Sequence, residues 1–425
     1  QERVRGSPGG LGRLDMGRPP GPPNPPFEGN TMTIRKTRGR VAAAVAVAGV
    51  AAVTLAACSS GSSSTESSAA ASAPAASEAP AASEAAPASS AAAGGTGEAV
   101  AASLILKNQT NPFFVAMAEG AKKAAAENGV DLTIGAGKDD TDAQGQIALI
   151  ESAVQSGQKG ILITPASPAV NDAITAAREA GLLVIALDTP TDPADIVDIT
   201  FATDNFVAGQ AVGQWAAGAL DGGDAHIARL IITDKESLTV DYLRDNGFLD
   251  GMGIDIADKT VIGDEAEEGK YTTGKGGNYT IDCIVATRAN EEGGQTGMEQ
   301  CLQKAEDINL VYTINEPAAI GAYNALKKAG KEKDVVIVSV DGGCPGVKSV
   351  QEGVIGATSQ QYPLQMANLG IKAIYDLATT GTKPSVTEGK DFFDTGVKLC
   401  TNAPQDTVTA AEQLDATSCL DIAWG

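Results

Sequence analysis

From residue 100 onward, short apolar runs alternate with longer segments of helical spacing almost to the C-terminus, the pattern of parallel βαβ units. Strands are expected over 101–106, 131–134, 160–164, 182–187 and 199–202, and again over 226–232, 281–285, 310–313, 335–340 and 356–359. The run from Leu182 to Leu187 shows no period-two alternation, which suits a strand covered on both faces. Phe113, Ala116, Met117, Gly120, Ala121 and Ala124 recur at helical spacing and form one small-residue stripe. Two series of five strands predict an α/β fold of two doubly wound, parallel-sheet, Rossmann-like lobes. In such sheets the ligand crevice lies outside the carboxyl ends of the strands.

Two strands deliver an acid to that crevice. GLLVIALDTP ends its apolar run at Asp188, and DVVIVSVDGG ends at Asp341 before a Gly-rich turn. Either Asp alone is also explained as a good turn former; the repetition suggests two similar lobes facing one cleft. At the same level of the first lobe stands Asn111-Pro112-Phe113-Phe114. Asn as N-cap and Pro in the first turn account for the first two residues. The two aromatics, in a chain with 4% aromatic residues, are read either as core or as a face for the C–H surface of a sugar ring, with neighbouring polar side chains pairing to hydroxyls.

The N-terminal hundred residues belong to no core. Residues 1–31 are Pro-, Gly- and Arg-rich and read as disordered or as sequence upstream of the true start at Met32. Residues 32–57 combine a basic stretch (Arg35, Lys36, Arg38, Arg40) with an apolar run closing on LAAC, the layout of a secretory signal with a lipoprotein cleavage site and lipidation of Cys58. Residues 58–99 are Ser, Ala, Pro, Glu and Gly and read as a flexible tether. The net charge of −22 disfavours nucleic acid and anionic membrane surfaces as partners. An exported chain sits where disulfides persist. The sequence-local pairings Cys283–Cys301 and Cys400–Cys419 are expected, leaving Cys344 free, although spacing does not settle connectivity. No cysteine spacing fits a zinc site, and the single histidine, His226, begins an apolar strand, so neither a metal nor a cofactor is expected.

The stretches NPFFVAMAEGAKKAAAENG, GILITPASP, LLVIALDTP, ATDN, TINEPAAIGAYNAL, VIVSVDGGCPGVK and GATSQQYPLQMA together resemble the sugar-binding proteins of ABC importers, with the type I periplasmic-binding-protein fold. The resemblance runs from Leu104 to about Gly396 and falls in the ribose- and fructose-like branch; the last three stretches look most like fructose-importer binding proteins. It implies two lobes joined by three crossings, 100–203 with 362–382 and 204–361 with 383–425, closing on a monosaccharide. Carried over residue by residue, it places Asn111, Phe113, Phe114 and Asp188 on the first lobe, and Arg244, Asn315, Asp341 and Gln361 on the second lobe and crossing. Lys107, Asn290 and the KDDTD loop at 138–142 are further candidates. Without the resemblance, Arg244 reads as a surface helix charge. Two departures bear on the sugar. Thr189 stands where ribose-binding members usually carry Arg, and no aromatic appears between Ala286 and Asn290.

The implied function is a lipid-anchored, extracytoplasmic receptor that delivers a fructose-like ketose or a pentose to ABC permease subunits and performs no chemistry. A signalling receptor shares fold and site. A transcriptional regulator needs an N-terminal DNA-binding helix pair, where this chain has a signal and tether; a sugar hydrolase would use Asp188 and Asp341 as acid and base.

Overall fold

The structure is a computed structural model and describes residues 99–425, which belong to one compact unit. The signal, Cys58 and almost all of the tether lie outside the described residues. The first five strands are β1 (Val100–Leu106), β2 (Val130–Ala136), β3 (Gly160–Ile163), β4 (Leu183–Leu187) and β5 (Ile199–Ala202). They are followed by β6 (Ala225–Ile231), β7 (Glu268–Tyr271), β8 (Gly277–Ala286), β9 (Leu310–Thr313), β10 (Val336–Asp341) and β11 (Ala357–Gln360). Three short strands close the chain: β12 (Phe393–Asp394), β13 (Lys398–Thr401) and β14 (Glu412–Leu414). The helices are α1 (Pro112–Asn128), α2 (Ala143–Gln155), α3 (Asn171–Glu179), α4 (Asn205–Leu220), α5 (Thr239–Met252), α6 (Glu291–Lys304), α7 (Glu316–Ala329), α8 (Cys344–Gln351), α9 (Pro363–Thr380) and α10 (Ala416–Leu420).

Two sheets form, ordered β12-β5-β4-β3-β1-β2 and β14-β13-β11-β10-β9-β6-β8-β7. The run β2-β1-β3-β4-β5 recurs in the second sheet as β8-β6-β9-β10-β11, so each lobe is the same doubly wound unit. β4, a continuous Leu-Val-Ile-Ala-Leu run, is buried throughout, as a central parallel strand with helices on both faces must be. In the first lobe α1 and α9 cover one face and α2 and α3 the other. In the second, α4 and α5 lie on one face and α6, α7 and α8 on the opposite one.

The chain passes between the sheets at 203–204, 361–362 and 395–397. Two of these crossings are tied together, with the Thr203 hydroxyl donating to the Gly396 carbonyl at 3.2 Å. The boundary expected after residue 382 is displaced, because β12 pairs with β5 and remains on the first sheet. β7 and β12–β14 escape the periodicity of the sequence, since each has only two to four residues of mixed polarity. Disulfides join Cys283 of β8 to Cys301 of α6 and Cys400 of β13 to Cys419 of α10, and Cys344 is free. Among the described residues no helix is long and apolar enough to cross a membrane.

Candidate functional site

Arg244 owes its position to a glycine seam. Helices α4 and α5 meet through Gly209 and Gly213 on one side and Gly247 and Gly251 on the other. A Cβ at these positions would collide with the backbone carbonyls of Arg244, Phe248, Phe206 and Gln210 in turn. The close approach swings the Arg244 side chain, 4% exposed, off the solvent face and into the cleft. Its Nε donates to Asn205 Oδ1 at 2.8 Å and one terminal nitrogen donates to the Ile314 carbonyl at 3.1 Å. The guanidinium also stands 3.4 Å from Asp188 and 3.9 Å from Asp341, pairing an acid from each lobe. The bland reading of Arg244 as a surface charge is excluded by its burial.

On the first lobe, Asp188 follows β4 with φ 65, a left-handed conformation that Asp tolerates better than most residues. The Thr189 hydroxyl donates to Asp188 Oδ2 at 2.8 Å and accepts from Lys107 Nζ at 2.8 Å. Lys107 is 1% exposed, and burial lowers its pKa despite Asp188 and Asp140 nearby. Asn108 donates to Asp140 at 2.6 Å; burial pushes the Asp140 carboxyl up to about 6, with Lys107 opposing. Asn111 caps α1 and brings Phe113 and Phe114 to the cleft, where both are buried.

On the second lobe, Asp341 ends β10 at φ 144, a region few L-residues adopt. Gln361 Nε2 holds its carboxylate at 3.0 Å. Behind it, the Glu316 carboxylate accepts from the Gly342 and Gly343 amides and from the Thr358 hydroxyl. Burial raises both Asp341 and Glu316, and Asp341 adds to the rise in Glu316 by like-charge repulsion. Asn315 is committed to structure: it caps α7 through the Ala318 amide and donates to the Ala289 carbonyl at 2.9 Å. Asp241 accepts the Ile232 and Thr233 amides, and burial lifts it to about 7.

These side chains enclose a gap of about 20 Å³ lined by Lys107, Asn111, Phe113, Phe114, Asp140, Asp188, Arg244, Asn315 and Asp341 among others. That is room for about one water. On the solvent side, a chamber of about 670 Å³ shares Asn111, Asp140, Ala289 and Asp341 with the gap. The lobes touch on either side of the gap. The Thr239 hydroxyl donates to the Pro190 carbonyl, and Phe113 meets Trp424 edge to face at 5.4 Å.

Residues 100–383 match the family model described as "Periplasmic binding protein domain", two thirds of the chain. The chain belongs to this family. Its relatives include the D-ribose/D-allose-binding protein of Pseudomonas aeruginosa, 28% identical over 314 residues, covering 72% of this chain and 90% of the relative. The ribose import binding protein of Haemophilus influenzae is 31% identical over 270 residues, 63% of this chain and 82% of that protein. Among solved structures, the periplasmic component of an ABC-type sugar transport system from Hahella chejuensis matches with a TM-score of 0.59 and 25% identity, over 70% of this chain and 99% of that one.

In this periplasmic binding protein the candidate residues gather in the cleft between the lobes. Of the ten candidates, eight line the inner gap: Lys107, Asn111, Phe113, Phe114, Asp188, Arg244, Asn315 and Asp341. Gln361 lies behind Asp341 and orients it. Asn290 lines the outer chamber rather than the inner gap, and its side-chain Oδ1 caps α6 by accepting from the Gly293 amide at 2.8 Å. Asp140, within the KDDTD loop, is the member of that loop that reaches the inner gap, and Asp142 is spent capping α2. Sequence reasoning missed Trp424 and Glu316. Trp424 comes from the last two residues of the chain, and its burial depends on the Cys344 amide bonding its carbonyl at 2.8 Å. At the remote end of the second sheet, His226 lies between Asp282 and Asp307, 3.2 and 3.6 Å away. The potential ligand atoms of these three residues lie within 4.8 Å of one another, a grouping that cysteine and histidine spacing did not reveal.

Proposed function

We propose that the chain is the extracytoplasmic solute-binding component of an ABC importer, tethered by a lipid on Cys58, and that it captures a neutral monosaccharide by closing its two lobes. The observation that carries this reading is the bridge of Arg244 between Asp188 of one lobe and Asp341 of the other, beside Phe113 and Phe114. Carboxylates accept from sugar hydroxyls, while guanidinium, ammonium and amide groups donate to them. The aromatic edges offer apolar surface to ring C–H groups. Because the two acids sit on different lobes, a sugar that bonds to both is bound fully only in the closed form and stabilises that form.

The relatives named for ribose and allose support the pentose expected from the resemblance, or an aldohexose, as readily as the fructose-like ketose expected beside it. Thr189 is the feature that separates these options. Its hydroxyl couples Lys107 to Asp188, so the first lobe presents a Lys–Thr–Asp relay where an Arg would reach directly toward the ligand. The reading of Asp188 and Asp341 as hydrolytic acid and base is disfavoured, since each acid is held by a fixed donor (Thr189, Gln361) and both face Arg244. Cys344 does not line the inner gap.

A thermal-shift screen of the exported protein against neutral pentoses, hexoses and ketoses tests the proposal. A ligand at about 100 times its Kd adds about 2.7 kcal/mol to folding stability, a rise of several degrees. One sugar class giving that rise, and recovered unchanged, supports it; no shift with any neutral sugar, or conversion of the sugar, refutes it.

A further inference from the structure

The outer chamber reaches well beyond the four residues it shares with the inner gap, and its walls are those of a carbohydrate site. We infer that the cleft takes, besides the free monosaccharide, a ligand that carries a second neutral sugar unit, seated in this chamber while the first ring occupies the inner site; the inference rests on the sugar-binding function proposed above. The chamber measures about 670 Å³, within the range of about 300–1,000 Å³ typical of small-molecule sites. It stays open although the lobes already touch at Phe113–Trp424 and through Arg244. Parting the lobes to admit a ring enlarges it further.

Both lobes line it. Asp139 and Asp140 face it from the first lobe, and Glu291, Glu292, Glu316 and Asp341 from the second, against Lys138 as its one cation. Of these, the carboxylates of Asp139, Glu291 and Glu292 accept hydroxyl hydrogen bonds and repel anions, so a phosphate or uronate substituent is rejected. Pro317, Ile320 and Trp424 supply the apolar part of the wall. The Trp424 indole N–H is already spent on the Gln361 carbonyl at 2.8 Å. Its ring therefore contributes surface rather than a donor, the contribution that ring C–H faces use.

The test is calorimetric titration of the exported protein with the monosaccharide identified by thermal shift, with neutral disaccharides containing that unit, and with its phosphate ester. At least one disaccharide should bind within about tenfold of the monosaccharide, about 1.4 kcal/mol, and the phosphate ester should bind at least about a hundredfold more weakly. Ile320→Trp, at a partly buried helix position that lines the chamber and not the inner gap, should cost the disaccharide about tenfold or more and spare the monosaccharide. Binding of the monosaccharide with rejection of every disaccharide overturns the inference and leaves the proposed function standing, as does disaccharide binding indifferent to Ile320→Trp. Failure of all neutral sugars refutes the proposed function itself.

Discussion

Replacing Arg244 by Met keeps most of the side-chain volume and removes the fork. Four interactions are lost at a position 4% exposed: the bonds to Asn205 and Ile314, and the charge contacts to Asp188 and Asp341. Removing one partner of a buried ion pair costs about 3–5 kcal/mol. Two acceptors left without donors cost about 1–3 kcal/mol each, not additively. Asp341 relieves part of this, because burial has already raised its pKa and it can take up a proton. The net expectation is therefore about 3–5 kcal/mol of stability, read from the urea midpoint and slope. For ligand affinity, one charge-assisted hydrogen bond is worth about 1.5–3 kcal/mol, so calorimetry should show a loss of about tenfold to a hundredfold. Arg244→Lys should fall between, since charge survives without the planar fork. A destabilised Arg244→Met variant that binds sugar within twofold of the parent would make the residue purely structural and refute the site; unchanged stability would refute the burial argument.

Thr189→Val preserves shape while cutting the Lys107–Thr189–Asp188 relay. It should cost about 1–3 kcal/mol and change the ranking of sugars in the same screen; an unchanged ranking removes Thr189 as a specificity determinant. Gly213→Ala forces α5 from α4 and should destabilise by about 1–3 kcal/mol, with weaker sugar binding because Arg244 moves with α5; full affinity after refolding would contradict that coupling. Asp140 and Asp241 are raised by burial to about 6 and about 7, above the usual value of about 3.9 for the unfolded chain. Between about pH 4 and pH 7 the folded state thus binds more protons than the unfolded one, and stability should rise as pH falls from 8 to 5. Urea midpoints at those pH values check the sign, and Asp140→Asn should flatten the slope. Replacing Cys400 and Cys419 by Ser opens a closure of 19 residues and should cost about 3 kcal/mol. It should also loosen Trp424, readable in its fluorescence; an unaltered melt would show that packing alone holds the C-terminus.

The fold was legible because the central strands are short apolar runs and helices such as α1 carry a small-residue stripe between them, and all ten expected strands occur. Acid-tipped strands also marked the cleft without help, since Asp188 and Asp341 end runs such as Leu-Val-Ile-Ala-Leu that could only be buried. Arg244 was different. YLRDNGF carries half of the signal, Gly247; the other half sits in Gly209 and Gly213, more than thirty residues before Arg244, and the two act together only through backbone contact. Asn290 and Asn315 carry a second role that the sequence does not separate from the first, because a cleft-side asparagine and a helix cap look identical until the first-turn amides are placed; both cap helices, Asn315 at the inner gap and Asn290 at the outer chamber. Trp424 and β12–β14 depend on a disulfide and on edge pairing, neither of which leaves a period in the sequence.

Capture of a neutral sugar between the lobes is tested most directly by titrating the exported protein with the sugar selected in the screen. The account predicts one saturable site per chain, binding lost about tenfold or more in Asp188→Ala, and sugar recovered chemically unchanged. Undiminished binding in Asp188→Ala, or no saturable heat with any neutral sugar, would contradict it.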